Sequence, residues 1–336
     1  MRVSFQPWGR SLDELIVAAR AAEDAGADTV WLPELHRSST VSAAAVGAAT
    51  DHVCVATGIA LAFARSPMIL ALEALDLAEL TGGRFRLGLG SGTRRMNTEW
   101  HASEFDHPVE RMADTIDAIR TFWRRSADGG RIETAGRLRP MRLAGYQRPL
   151  ATWDIPIHLA AVGPRMLRLA GRVADGWLAH ELCSPTYVRE RALPELERGL
   201  AEAGRSRADL EITASAVCAV SGDRRTAAEL VSGHVGFYGG VRAYADFFAF
   251  HDVLEEHEQI AAQLRAGAGA GNLSAAGRMR EVLTVTGDRD DVLQRLTEYE
   301  GVADVVKVSP PVHALEPDQI RAAQTELIAV IAELRR

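Results

Sequence analysis

The chain has 336 residues, 47% of them hydrophobic and 25% charged, with a formal net charge of −7 and a pI of about 5.8. That profile fits a globular protein with a large core, argues against a nucleic-acid surface, and includes no apolar run long enough to span a membrane. Three scattered cysteines, Cys54, Cys183 and Cys218, make no disulfide framework, and the start MRVSFQPW has no apolar leader, so a reducing cytoplasmic location is the expectation.

From the N-terminus, strand and helix signals alternate. Arg2–Gln6 has a strand pattern. Ser11-Leu12-Asp13-Glu14 is a capping box, in which the hydroxyl and the carboxylate each satisfy an orphan backbone donor. The helix it opens carries Leu12, Leu15, Ile16 and Ala19 on one face and stops at Gly26. Thr29–Pro33 is a second strand, an Ala-rich helix covers Thr40–Thr50, and His52–Leu61 is a third strand rich in β-branched residues. Ser66-Pro67 starts the next helix, with Ser as cap and Pro in the first turn, and Met68–Leu80 continues it. Arg84–Leu89, Ile155–Ala161, Gly176–Ala179, Leu210–Val220 and Ala303–Val308 complete the strands, each followed by a helical pattern.

Eight strand-then-helix units predict an α/β fold with a parallel sheet closed as a TIM (β/α)8 barrel, one domain over 1–336. An open doubly wound sheet is the structural alternative. Two insertions break the rhythm. Residues 126–154 suit an irregular segment or hairpin. Residues 237–280 hold an aromatic cluster, an acidic run and an Ala/Gly-rich stretch, 265–277, expected to be mobile.

Four segments carry chemistry. Leu87-Gly88-Leu89-Gly90-Ser91-Gly92 ends a strand with alternating glycines that let a backbone approach a ligand. Counted from Gly88, the sixth position of a dinucleotide fingerprint is Thr93 rather than Gly or Ala, and a tightly packed strand end explains the run equally well. Ala160-Ala161-Val162-Gly163-Pro164-Arg165-Met166 runs from a strand into a helix start, whose free N–H groups suit a phosphate; an ordinary βα turn is the alternative. Thr57-Gly58-Ile59 places glycine inside a buried strand, the signature of a bulge or a close ligand. Pro33-Glu34-Leu35-His36 and Trp8 follow strand ends, where barrel active sites lie. The histidines and glutamates of 251–258 have no metal-ligand spacing, so no metal is expected.

In register, TVWLPELH (29–36), TGIAL (57–61), AFARSPM (62–68), TGGRFRLGLGSG (81–92), HPVERM (107–112) and HLAAVGPRMLRLAGRVADG (158–176) resemble the luciferase-like monooxygenase superfamily, in its branch that uses the deazaflavin coenzyme F420. The resemblance covers most of residues 1–180 and implies a non-prolyl cis peptide at Gly58-Ile59 backing the deazaflavin. It also implies a phosphate cradle at Ala160, Ala161, Val162, Gly163 and Arg165, with Ser91 and Gly92 lining the cofactor.

The chain departs from the family pattern in three places. Leu35 stands where alcohol-oxidising members place a basic His, Thr93 where some relatives have an acidic Glu, and Met96 where an Asn lies near the phosphate, with Asn97 beside it. Glu34, His36 and Thr93 are the remaining catalytic candidates, and Trp8, Trp100 and His180 the candidate substrate walls. The implied activity is hydride transfer from reduced F420 to an electron-poor C=C or C=N bond of a small molecule or modified peptide, in a homodimer. An FMN-dependent monooxygenase of the same fold and a non-catalytic F420-binding barrel are the alternatives.

Overall fold

The computed structural model describes residues 1–271, 273 and 276–335. Strands β1 (Arg2–Phe5), β2 (Thr29–Leu32) and β3 (Cys54–Thr57) lie side by side, and β4 (Ala60–Leu61) continues the line of β3. Next come β5 (Phe85–Gly90), a short antiparallel hairpin of β6 (Ile132–Glu133) and β7 (Arg142–Leu143), then β8 (Ile157–Ala160), β9 (Gly176–Leu178) and β10 (Glu211–Val220). Last are β11 (Val285–Gly287) and β12 (Val305–Ser309). The parallel ring runs β1, β2, β3, β5, β8, β9, β10, β12 and back to β1, so the sheet closes. The hairpin occupies the predicted insertion at 126–154. Strand β11 lies outside the ring, on the last three residues of β10, and the sequence pattern did not mark it.

Each ring strand is followed by a helix packed outside. These begin with α1 (Leu12–Ala25), α2 (Ser39–Gly47), α3 (Pro67–Leu80), α4 (Pro108–Arg125), α5 (Pro164–Val173), the single turn α6 (Pro185–Tyr187) and α7 (Leu193–Glu202). The capping at α1 differs from the expected box: Ser11 Oγ accepts the Glu14 N–H, but the Glu14 carboxylate takes the N–H of Arg10 rather than that of the cap residue. Helix α2 starts earlier than expected because Ser38 caps it through the Val41 N–H.

After β10 the chain is helical: α8 (Arg224–Leu230), α9 (Ser232–Gly239), α10 (Ala245–Phe250), α11 (Leu254–Arg265) and α12 (Gly277–Leu283). Of the Ala/Gly-rich stretch expected to be mobile, Asn272, Ser274 and Ala275 lie outside the described residues. The chain closes with α13 (Arg289–Thr297) after β11 and α14 (Pro317–Leu334) after β12. Among the described residues no helix is long and apolar enough to cross a membrane, and the three cysteines are unpaired.

Most of the core lies between ring and helices, where both faces of a parallel strand are covered. Inside the ring the filling is unusual. Trp31 occupies the centre, its Nε1–H donating to Ser4 Oγ at 3.1 Å, and its ring meets His158 edge-on at 5.4 Å. A side chain at Gly176 would strike the His158 ring at 2.1 Å. Below, at the strand N-termini, Glu211 accepts from Arg2 (2.7 Å) and Arg86 (2.8 Å) and contacts His158 Nε2 at 3.0 Å. Burial alone would raise the Glu211 carboxyl, but the His158 hydrogen bond and the Arg86 charge outweigh it and hold it well below the usual range. This network seals the lower end of the barrel.

Candidate active site at the barrel mouth

The upper end is built on a kink. β3 pairs with β5 at Ala56↔Arg86 and β4 pairs with β5 at Ala60↔Leu89. Four steps on one strand therefore span three on the other, a one-residue bulge at the predicted glycine, and the Gly58-Ile59 peptide is cis. Glycine is needed opposite the kink. A Cβ at Gly88 would lie 1.9 Å from the Thr57 carbonyl oxygen, and Thr57 Oγ1 brackets that residue by donating to its carbonyl at 2.7 Å and accepting its N–H at 2.9 Å. At Gly92 the backbone has φ +63°, which side chains rarely adopt. Ser91 beside it is half-buried, its Oγ turned to the Gly92 carbonyl at 3.1 Å.

Strand β5 next meets β8 at Leu89↔Leu159, which brings Gly90 beside Ala160. Gly58, Ile59 and Ala160 are half-buried above Trp31, Ala56 and Leu178, forming a small apolar shelf. The chain then turns into α5. Trp177 Nε1–H holds the Ala161 carbonyl at 2.9 Å, and the Tyr187 hydroxyl donates to the Val162 carbonyl at 2.6 Å. Among the described residues the N–H groups of Val162, Gly163 and Arg165 have no acceptor, whereas the Met166 N–H turns back to the Gly163 carbonyl at 3.0 Å. No atom lies within 4 Å of where a Gly163 Cβ would stand. The Arg165 side chain points away, 73% exposed and paired with Glu110 at 2.7 Å, so its backbone amide is what faces the turn. Gly58, Ile59, Ser91, Gly92 and 160–165 thus occupy three adjacent strand ends.

The catalytic and substrate candidates are placed less uniformly. Glu34 receives Arg65 on both oxygens, with Nη1 on Oε2 at 2.7 Å, and also takes the Leu61 N–H at 2.8 Å. It fixes β4 against β2. Thr93 Oγ1 accepts the Met96 N–H at 3.3 Å at the start of a π-helical turn, Met96–Trp100, leaving its own proton free. Asn97, in that turn, ties the carbonyls of Ser91 and Thr93 at 2.7 and 2.9 Å. Trp100 is 54% exposed. The Trp8 backbone is pinned on both sides by the Gln324 amide of α14. His36 is exposed at the rim, near His313.

His180 is the candidate most deeply set. Its Nδ1 accepts the Leu182 N–H at 3.2 Å, and its ring contacts Tyr238 (4.8 Å) and Tyr244 (4.3 Å). Burial pushes its pKa down to about 4, so it is neutral. Around it stands a cluster the sequence reading did not assemble. Lys307, 1% exposed, reaches Glu181 and, at 3.2 Å, Gln6 Oε1. Burial works to raise the Glu181 carboxyl, but the Lys307 charge outweighs it and keeps it ionised. His234 faces Tyr238 (5.2 Å) and His313 (4.9 Å), and burial lowers its pKa to about 3. One signal was available: Lys307 is the single lysine, set in the apolar strand VVKVS, and a charge in a strand covered on both faces must find a buried partner.

A cavity of about 360 Å³ between α6, β11 and α13 lies elsewhere, lined by Ser184, His251, Arg295 and Glu298 among others. There Ser184 Oγ and His251 Nε2 meet at 2.8 Å and His251 Nδ1 meets the Phe247 carbonyl at 2.8 Å. Ser184 also caps α6. The pair fastens the loop after β9 to α10.

The family model described as luciferase-like monooxygenase matches residues 3–304. An uncharacterized Mycobacterium tuberculosis protein, Rv1360, is 30% identical over 323 residues, covering 91% of this chain and 92% of its own length. Another protein of that organism, whose name assigns it provisionally as a coenzyme F420-dependent oxidoreductase, is 30% identical over 330 residues, covering 90% of each chain. The 5,10-methylenetetrahydromethanopterin reductase of Archaeoglobus fulgidus is 25% identical, covering 96% of each. Among solved structures, the coenzyme F420-dependent tetrahydromethanopterin reductase of Methanopyrus kandleri superposes with a TM-score of 0.78 at 22% identity, covering 99% of this chain and 98% of its own. That likeness establishes the shared barrel.

Proposed function

The chain belongs to the luciferase-like monooxygenase family, and from that premise we propose that it is a coenzyme F420-dependent oxidoreductase that reduces an electron-poor C=C or C=N bond of a small molecule or modified peptide. The observation that carries this reading is the continuity of two surfaces at the mouth. The apolar shelf of Gly58, Ile59 and Ala160 suits a flat ring, and the unpaired amides of Val162, Gly163 and Arg165 beside it suit an anionic tail. The name of the second Mycobacterium tuberculosis relative, a coenzyme F420-dependent oxidoreductase, supports the same cofactor.

In this site Gly58 and Ile59 back the ring, Ser91 and Gly92 line its edge, and the 160–163 turn with the Arg165 amide holds the tail. When bound, the deazaflavin supplies the hydride. The chain's own task is to orient the acceptor, exclude water and provide one proton. Thr93 offers a free hydroxyl proton, His180 an Nε2–H, and His36 stands at the rim. Glu34, locked to Arg65, acts by positioning Leu61.

Val41 and Ile69, 57% and 46% exposed on α2 and α3, suit burial against a second copy. Sedimentation as a monomer at micromolar concentration would remove the dimer from the proposal.

The test is direct. Dissociation constants for F420 and FMN are measured side by side by fluorescence titration. Tight F420 binding with weak or absent FMN binding is expected. Micromolar FMN binding without detectable F420 binding overturns the reading in favour of a flavin monooxygenase, and F420 binding with no hydride transfer to chemically varied acceptors favours a non-catalytic barrel.

A further inference from the structure

We propose that His180, Glu181, His234 and Ser309 form a second binding subsite at the barrel mouth, opposite the kinked strand, that takes a planar ligand with an N–H beside a C=O: a lactam or other cyclic amide edge. As the place of the hydride acceptor this rests on the reading above, but as a binding site it stands alone.

Folded proteins pair nearly all their buried polar atoms. Five of the thirteen unpaired buried side-chain atoms among the described residues gather here: His180 Nε2, Glu181 Oε2, both ring nitrogens of His234, and Ser309 Oγ. The residues come from the loop after β9, from α9 and from the end of β12. They are tied into one cluster by Tyr238, which contacts both histidines, and by Lys307, which touches Glu181 and sits one pleat below Ser309. His234 feels the charges of both Glu181 and Lys307. The lower end of the same barrel engages both oxygens of Glu211 and leaves one buried atom, His158 Nδ1, without a partner, against five at the mouth.

The unmet atoms have definite polarity. His180 Nδ1 accepts the Leu182 N–H, so its Nε2 carries the proton and is a donor. A neutral His234 offers one donor and one acceptor. Glu181, with Oε1 on Lys307, offers Oε2 as an acceptor. A carboxylate or phosphate would meet the free Glu181 oxygen and be repelled. A hydrocarbon would leave every group unmet. An ammonium ion would meet the acceptors of Glu181 and His234 but leave the donors unmet, and would lie beside Lys307. An edge with adjacent N–H and C=O satisfies donors and acceptors together. Among the described residues no set of three or more His, Cys, Asp or Glu groups is placed to hold a metal ion. The walls are aromatic: His180 lies against Tyr244 at 4.3 Å, and His313 stacks on Phe237 at 3.9 Å with 6° between planes. Such walls select a flat ligand. His180, Tyr238, Tyr244 and His313 are half-buried, so the cluster reaches the surface.

The test uses 2-quinolone, a planar lactam, and N-methyl-2-quinolone, in which the donor is blocked. Each is titrated calorimetrically into the full chain, with and without F420. Binding of 2-quinolone is expected, with the N-methyl compound weaker by roughly tenfold, the loss of about one good buried hydrogen bond. His234→Phe should weaken 2-quinolone by about tenfold or more, and His234→Asn, which keeps a donor and an acceptor, should recover most of it. Neither variant should alter F420 affinity.

A purely structural histidine would destabilise the fold when replaced. Here His234→Phe removes two unmet polar atoms, so the ligand-free melting temperature should rise, by about 2–4 °C. Absence of 2-quinolone binding at millimolar concentration, equal affinity for the N-methyl compound, or wild-type affinity in His234→Phe each overturns the proposal and leaves these atoms to water. Quinolone binding in a protein that fails to bind F420 supports the subsite and sinks the cofactor reading instead.

Discussion

Replacing Gly163 by aspartate separates electrostatics from packing at the proposed anion cradle. No atom lies within 4 Å of the Cβ position, and the Gly163 backbone has φ −74° and ψ 152°, which any residue adopts. Both Gly163→Ala and Gly163→Asp should therefore fold and melt like the parent. The aspartate does add a negative charge at the first residue before α5, beside the amides of Val162 and Arg165. An anion held by those amides would sit about 5 Å from the new carboxylate. At that distance Coulomb's law gives about 1 kcal/mol with the screening of water and about 3 kcal/mol at an effective dielectric of 20. Affinity for F420 should thus fall roughly five- to 150-fold, while Gly163→Ala stays close to wild type. The loss should shrink as salt is raised, because the site is solvent-accessible. Fluorescence titration at low and high ionic strength measures all three proteins. Unchanged affinity in a well-folded Gly163→Asp variant would mean that the anion lies elsewhere.

Three other outcomes follow from the same geometry. Gly88→Ala drives a methyl group to 1.9 Å from the Thr57 carbonyl oxygen and parts the two hydrogen bonds between these residues; chemical denaturation should show a loss of about 3–5 kcal/mol, and parental stability would refute the strand packing described. Tyr187→Phe frees the Val162 carbonyl and should weaken F420 binding, measured by fluorescence titration, by roughly fivefold, about 1 kcal/mol. For pH, burial places the folded pKa of His180 at about 4 and of His234 at about 3, below the unfolded value near 6.5. The unfolded chain then binds more protons in acid, so stability present above about pH 6.5 falls as pH drops toward 4, by up to about 1.4 kcal/mol per pH unit for each histidine. His234→Phe should flatten that slope; a parental slope would show that this histidine is not buried neutral.

The barrel was legible because strand and helix periodicities are local. Ser66-Pro67, Gly26 and the β-branched runs each mark an element boundary through their own backbone preferences. The bulge was legible for the same reason, since a glycine inside an apolar strand needs a structural cause. What escaped was non-local. β11 is three residues long and exists only because the end of β10 projects past the ring. Glu34 reads as a catalytic candidate from its place after β2, yet Arg65, 31 residues later, occupies it. The Lys307–Glu181 contact spans 126 residues, and no spacing rule links a lysine in β12 with a histidine in α9.

The two ends of the barrel interior make the final distinction between structure and chemistry. Both hold buried carboxylates facing cations. At the lower end Glu211 meets Arg2, Arg86 and His158, and Asp28 joins from below through Arg2. Both carboxylate oxygens there are engaged, as a group whose task is to close a barrel requires. At the mouth Lys307 engages one oxygen of Glu181 and leaves the other bare, next to two histidines whose outward nitrogens are also bare. A fold that can place three hydrogen-bond partners around Glu211 has the means to satisfy Glu181 as well. Leaving it unpaired costs stability that a bound partner would return. The polar side of the mouth is therefore proposed to belong with the apolar shelf across from it, as two halves of one site.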